Sequence, residues 1–229
     1  MSAIADNLQA VQARISSAAA AAGRSADSVR LLAVSKTMPL TRIIEAAEAG
    51  QVAFGENYVQ EGIDKLMACS GRALEWHFIG PLQSNKSRPV AENFDWVHTI
   101  DRLKIAQRLS AQRPARMAPL QVCVQVNVSG EASKSGCAPE EALTLCRSVA
   151  ALPGLQLRGL MAIPEPSDNL AAQRAPCRRL RQIYENIQAS GLALDILSMG
   201  MSHDLEAAIA EGATIVRIGT AIFGERNYA

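Results

Sequence analysis

At 229 residues and 48% apolar, the chain is one full-sized domain or at most two small ones, and with only 4% aromatics its core must be built mainly from Ala, Leu, Ile and Val. The 23 Lys+Arg nearly cancel the 22 Asp+Glu and form no long basic stripe, which excludes nucleic acid as the main electrostatic partner; no window is apolar enough to span a bilayer, which excludes a membrane protein of that kind. The five cysteines (69, 123, 137, 146 and 177) are odd in number and lack Cys-x-x-Cys spacing, so free thiols in a reducing cytoplasm are expected rather than a zinc site or a disulfide framework.

An Ala-rich helix over roughly 3–22 leads the chain and lacks the charged start and continuous apolar run of a signal peptide. Short β-rich runs then alternate with helical spacing. The predicted strands are 31–36, 52–56, 76–80, 96–100, 121–128, 156–163, 195–199 and 214–218. Pro39 and Pro139 suit first helical turns, and Ser202 precedes an acidic first turn, His203-Asp204-Leu205-Glu206. Gly50, Gly191 and Gly212 each follow a helical pattern and read as stops. The run Arg174, Arg178, Arg179 and Arg181 reads as the solvated face of a helix. Eight βα units after one extra N-terminal helix predict an α/β fold: a single-domain (β/α)8 TIM barrel over 1–229. A doubly wound sheet would carry a Gly-rich first turn, and here that turn is Ser35-Lys36-Thr37-Met38-Pro39.

Polar residues gather at the predicted strand ends, where such a barrel builds its site. They include Lys36, Glu56-Asn57, His98-Thr99, Asn127, Met161, Ser198 to Ser202, and Arg217 with Gly219-Thr220. Strand alternation puts Leu32, Val34 and Lys36 on one face, so the lysine points into the mouth. A partly desolvated amine there has its pKa lowered from ~10.4 and becomes a carbonyl nucleophile. Arg217 points inward and needs an acceptor, either a carboxylate such as Glu56 or a polar ligand. The last two strand ends offer hydroxyls, glycines and a helix start near Ser202, which together read as a phosphate cradle. With the lysine they describe a site for a phosphorylated aldehyde. His77 reads as structural, and His98 shows no second histidine or carboxylate at ligand spacing, so no metal is expected.

Several segments go further: Ala33-Val34-Ser35-Lys36, Phe54-Gly55-Glu56-Asn57-Tyr58-Val59-Gln60-Glu61, His77-Phe78-Ile79-Gly80-Pro81-Leu82-Gln83-Ser84-Asn85-Lys86, Gly159-Leu160-Met161, Ser198 to Asp204, and Val216 to Gly224. In these the chain resembles the pyridoxal 5′-phosphate homeostasis protein family, the single-domain relatives of the alanine racemase N-terminal barrel. The resemblance implies pyridoxal 5′-phosphate as cofactor, held as an aldimine on Lys36. It implies phosphate contacts from Ser198, the Gly200-Met201-Ser202 backbone, Gly219 and Thr220, with Arg217 facing the pyridine nitrogen, Asn57 near the ring and Met161 completing the set. It also implies a carrier or regulator in vitamin B6 and amino-acid homeostasis, without established turnover of its own. Apo pyridoxal phosphate enzymes are its expected recipients. Because the chain ends about five residues after Phe223-Gly224, no second domain is expected to cover the site or supply a second base, and a monomer is expected. A racemase or decarboxylase using the same aldimine is the alternative, followed by a Schiff-base aldolase and a cofactor-free scaffold.

Overall fold

A computed structural model describes residues 2–130 and 135–224. The last residues, on which the expectation of an uncovered mouth rests, lie outside the described part. The eight strands are β1 (Arg30–Val34), β2 (Ala53–Glu56), β3 (Glu75–Phe78), β4 (Trp96–Ile100), β5 (Leu120–Gln125), β6 (Leu155–Met161), β7 (Ile196–Ser198) and β8 (Ile215–Ile218). They pair in parallel, in chain order, as a closed barrel. The closing pair sets Leu32 beside Arg217 and Ala33 beside Ile218, so the first and last strands are neighbours as the barrel reading required.

The helices are α1 (Ala3–Ala21), α2 (Leu40–Glu48), α3 (Val59–Ala68), α4 (Ser87–Asn93), α5 (Leu103–Gln112), α6 (Ala142–Ala150), α7 (Leu170–Ala189), α8 (Leu205–Ala210) and α9 (Thr220–Phe223). Alternation along each strand divides the apolar residues into two cores. Phe54, Phe78, Val97, Val122, Leu160, Val216 and Ile218 face outward and pack against the helices. Leu32, Ala53, Trp96, Cys123, Met161, Ile196 and Ile215 fill the barrel itself. Helix α1 is an addition to the eight units: its apolar stripe Ile4, Leu8, Val11 and Ile15 is buried, with Ser2 capping its first turn by accepting from the Ala5 N–H.

All five cysteines are free and buried. Burial pushes the thiols of Cys137, Cys146 and Cys177 up to about 12, so they pack as small hydrophobes. The arginine run on α7 is not a simple solvated face. Arg174, Arg178 and Arg181 converge on the carboxylate of Glu211, which is 1% exposed, and Arg179 donates to the Val128 carbonyl. Several cations around one buried carboxylate tie α7 to the end of α8. Among the described residues no helix is long and apolar enough to cross a membrane.

Candidate functional site

Strand β1 ends at Val34, two residues short of the predicted limit, so Lys36 stands on the β1–α2 loop above the mouth rather than within the strand. That loop is clamped from behind. The Ser35 hydroxyl donates to Glu56 Oε1 at 2.6 Å, and Lys65 Nζ donates to the Ser35 carbonyl (2.7 Å), to Glu56 Oε1 (2.9 Å) and to Glu61 Oε1 (2.5 Å). The Thr37 N–H donates to the same Glu61 oxygen. Thr37 sits at φ 63°, left-handed backbone that a β-branched residue adopts only when its surroundings force it. Burial pushes the Glu56 carboxyl up, and Lys65 and Ser35 pull it back only in part. Glu56 therefore faces outward with Lys65 and is not the partner of Arg217: residues along β2 alternate, and Ala53, not Glu56, looks into the barrel.

The half-buried Lys36 shares a cavity of about 200 Å³ with Asn57, Met201, Ser202, Arg217, Gly219 and Thr220, and with Val34, Ile79, Ile163 and His203. Seven of the ten residues expected at the site thus line one space. Among the described residues the buried Asn57 Oδ1 finds no hydrogen-bond partner. The other three residues do not line it. Met161 is fully buried in the inner core, one layer below. Ser198 is also fully buried, and its hydroxyl is engaged by His98 Nδ1 at 2.8 Å and Arg217 at 2.9 Å, so it supports the arginine rather than the mouth. Gly200 turns the loop at φ 98°, where an added Cβ would lie 2.7 Å from that of Ala208. The helix after this loop starts at Leu205, later than expected, because Asp204 folds back to accept the Met201 N–H at 2.6 Å. That commits the Met201 amide and leaves Ser202, Gly219 and Thr220 as the polar end of the cavity.

Arg217 is 4% exposed. It donates to the Ser198 carbonyl (2.7 Å) and hydroxyl (2.9 Å) and to the Ala162 carbonyl (2.8 Å). Among the described residues it makes no ion pair with a carboxylate, and burial lowers its pKa to about 10, still cationic at neutral pH. Beneath it runs a buried polar column that reading the histidines one at a time had missed. His98 Nε2 meets His77 Nδ1 at 2.9 Å, and His77 Nε2 meets Glu75 Oε1 at 2.6 Å. Burial lowers both imidazoles, His98 well below the ordinary value. The signal was available: Glu75-x-His77 and Trp96-x-His98 place three polar side chains on the inward face of adjacent strands. No cluster of three or more His, Cys, Asp or Glu suited to a metal occurs among the described residues.

Residues 5–227 match the family model described as alanine racemase, N-terminal domain. A protein of Pseudomonas aeruginosa named pyridoxal phosphate homeostasis protein is 61% identical over 228 residues, spanning 100% of this chain and 98% of the relative. This chain belongs to that family. Its Escherichia coli (strain K12) member, with the same name, is 55% identical over 232 residues, covering 100% of this chain and 99% of its own. Among solved structures, PipY of Synechococcus elongatus PCC7942 with pyridoxal phosphate bound superposes with a TM-score of 0.83 at 36% identity, over 96% of this chain and 100% of PipY. Alanine racemase of Corynebacterium glutamicum, at 18% identity and TM-score 0.73, shares the fold over 97% of this chain and 61% of its own.

Proposed function

We propose that this chain binds pyridoxal 5′-phosphate covalently through Lys36 and serves vitamin B6 and amino-acid homeostasis in the cytoplasm as a carrier without turnover of its own. The observation that carries the reading is the meeting, in one cavity, of the Lys36 amine, the Arg217 guanidinium and the Ser202 and Thr220 hydroxyls. The cofactor would supply an aldehyde for the amine, a ring nitrogen and a phosphate. Lys36 would be the attachment point, its amine meeting the aldehyde that the cofactor would supply. Ser202, Gly219 and Thr220 would hold the phosphate. Asn57, whose buried Oδ1 lacks a partner among the described residues, lies beside the ring. PipY, whose solved structure holds pyridoxal phosphate, and the names of the curated relatives support the same ligand.

Arg217 supports a holding role. A fixed cation opposite the ring nitrogen disfavours protonation of that nitrogen and makes the ring a poorer electron sink. Among the described residues that line the cavity, Lys36 and His203 are the side chains of a type that serves as a general acid or base. A racemase needs acid–base groups on both faces of its substrate. The carrier would act as a monomer, handing the cofactor to apo-enzymes across the mouth.

Incubating the loaded protein with amino acids in deuterated water separates carrier from enzyme. The carrier reading expects α-deuterium incorporation no faster than with free pyridoxal phosphate. Exchange far above that rate, lost in Lys36→Ala, would replace it with a racemase or decarboxylase.

A further inference from the structure

Burial disfavours the charged form of His77 and His98, and with both rings neutral the polar column has one consistent direction of hydrogen bonding. Glu75 also accepts from Arg30 at 2.8 Å, and although burial would raise its carboxyl, the bonds from His77 and Arg30 hold it at about 2. An ionised carboxylate only accepts, so His77 Nε2 carries a proton. In a neutral His77 the other nitrogen, Nδ1, is then an acceptor. His98 Nε2, 2.9 Å away, must donate to it. His98 Nδ1 is left as an acceptor, and the Ser198 hydroxyl, 2.8 Å away, gives it its proton. The Ser198 oxygen thereby turns its lone pairs to Arg217, which can only donate. With both rings neutral, reversing any one link would set two lone pairs or two protons face to face. His77, His98 and Ser198 are each no more than 1% exposed, so no solvent relieves such a conflict. His77 is further fixed by stacking on Trp96, with centroids 5.2 Å apart and planes 8° from parallel.

We propose that His98 and His77 are positioning residues: neutral imidazoles, each with its proton on Nε2, that orient the Ser198 hydroxyl and so hold the Arg217 guanidinium in one place in the mouth. Arg217 thus depends on a carboxylate at the opposite end of the barrel, because Glu75 opens β3 and Arg30 opens β1. The consequence for the cofactor rests on the reading of the cavity as a pyridoxal phosphate site, whereas the tautomers do not.

Imidazole-nitrogen NMR of the wild-type protein without cofactor tests the column itself. Two neutral Nε2–H rings are expected for His77 and His98 at neutral pH; a cationic ring or an Nδ1–H ring at either position overturns the proposal. The second arm compares the release of pyridoxal phosphate from two variants. His98→Leu strands the Ser198 hydroxyl and is expected to release cofactor about tenfold faster. His98→Asn keeps an acceptor for that hydroxyl and is expected to stay within about threefold of wild type. Equal release from both variants, whether unchanged or equally fast, overturns the positioning role. If the wild type takes up no pyridoxal phosphate, it is the function that fails, and the NMR result still decides the column.

Discussion

Lys65 holds three acceptors in a place where few lysines are found. Its side chain is 8% exposed, and it contacts a Glu56 carboxylate that is 0% exposed. Replacing it by Met strands that carboxylate and also frees the Ser35 carbonyl and Glu61. Lys65→Met is therefore expected to cost about 3 kcal/mol, read from denaturant midpoints, with part recovered in the double variant with Glu56→Gln. The histidines set a different dependence. Because burial lowers both, below ~6.5 the unfolded chain binds protons that the native barrel refuses, so stability falls as pH falls. Above that value their contribution is flat. Glu56, raised, works in the opposite sense near its own range, and Glu75, held at about 2, extends the acid loss further down. Unfolding curves between pH ~6.5 and ~5 should show a slope that is smaller in His98→Asn. A slope equal to wild type would mean that His98 is protonated in the native barrel.

Among the elements, α1 and the loop after β7 act together. Arg14 on α1 donates to the Ser202 carbonyl at 3.2 Å and pairs with Glu206 on α8 at 2.9 Å, and Asn7 donates to the Ile222 carbonyl in α9. The leading helix thus braces both loops that form the polar end of the cavity. Arg14→Ala is expected to leave thermal stability almost unchanged, since the pair is exposed, while weakening pyridoxal phosphate binding several-fold by fluorescence titration. Gly200→Ala is a harsher change. A left-handed alanine with its Cβ 2.7 Å from Ala208 should destabilise by about 3 kcal/mol and release the cofactor. The strands were legible because each carries a β-rich run, and the helix stops because Gly50, Gly191 and Gly212 all have positive φ. The start of α8 was misplaced because the Asp204 side chain, folded back on Met201, competes with helix initiation at Ser202. Met161 and Ser198 were assigned to the mouth for a related reason. The sequence marks a strand end but not its depth, and both strands end one layer below the cavity.

Across the whole molecule, barrel closure turns distant residues into one site. Lys36 and Arg217 come together only because β1 pairs with β8, and their place in the first and last apolar runs makes that meeting legible in the sequence. What stayed hidden needed the register of adjacent strands: the His77–His98 contact spans β3 and β4, and the next link, to Ser198, crosses the barrel to β7. Glu56 and Glu211 were likewise unreadable, since each finds its cations on a neighbouring helix. The proposal of a monomeric carrier predicts sedimentation at about the chain mass of 24.4 kDa with and without cofactor; a dimer that forms on loading would overturn it and place a second copy over the mouth. The most direct measurement is the visible absorption spectrum of the protein with pyridoxal phosphate, before and after borohydride, with Lys36→Ala alongside. A Schiff-base band that borohydride traps on the Lys36 peptide, and that the variant lacks, is expected. No band, or the same band in the variant, would contradict covalent binding through Lys36.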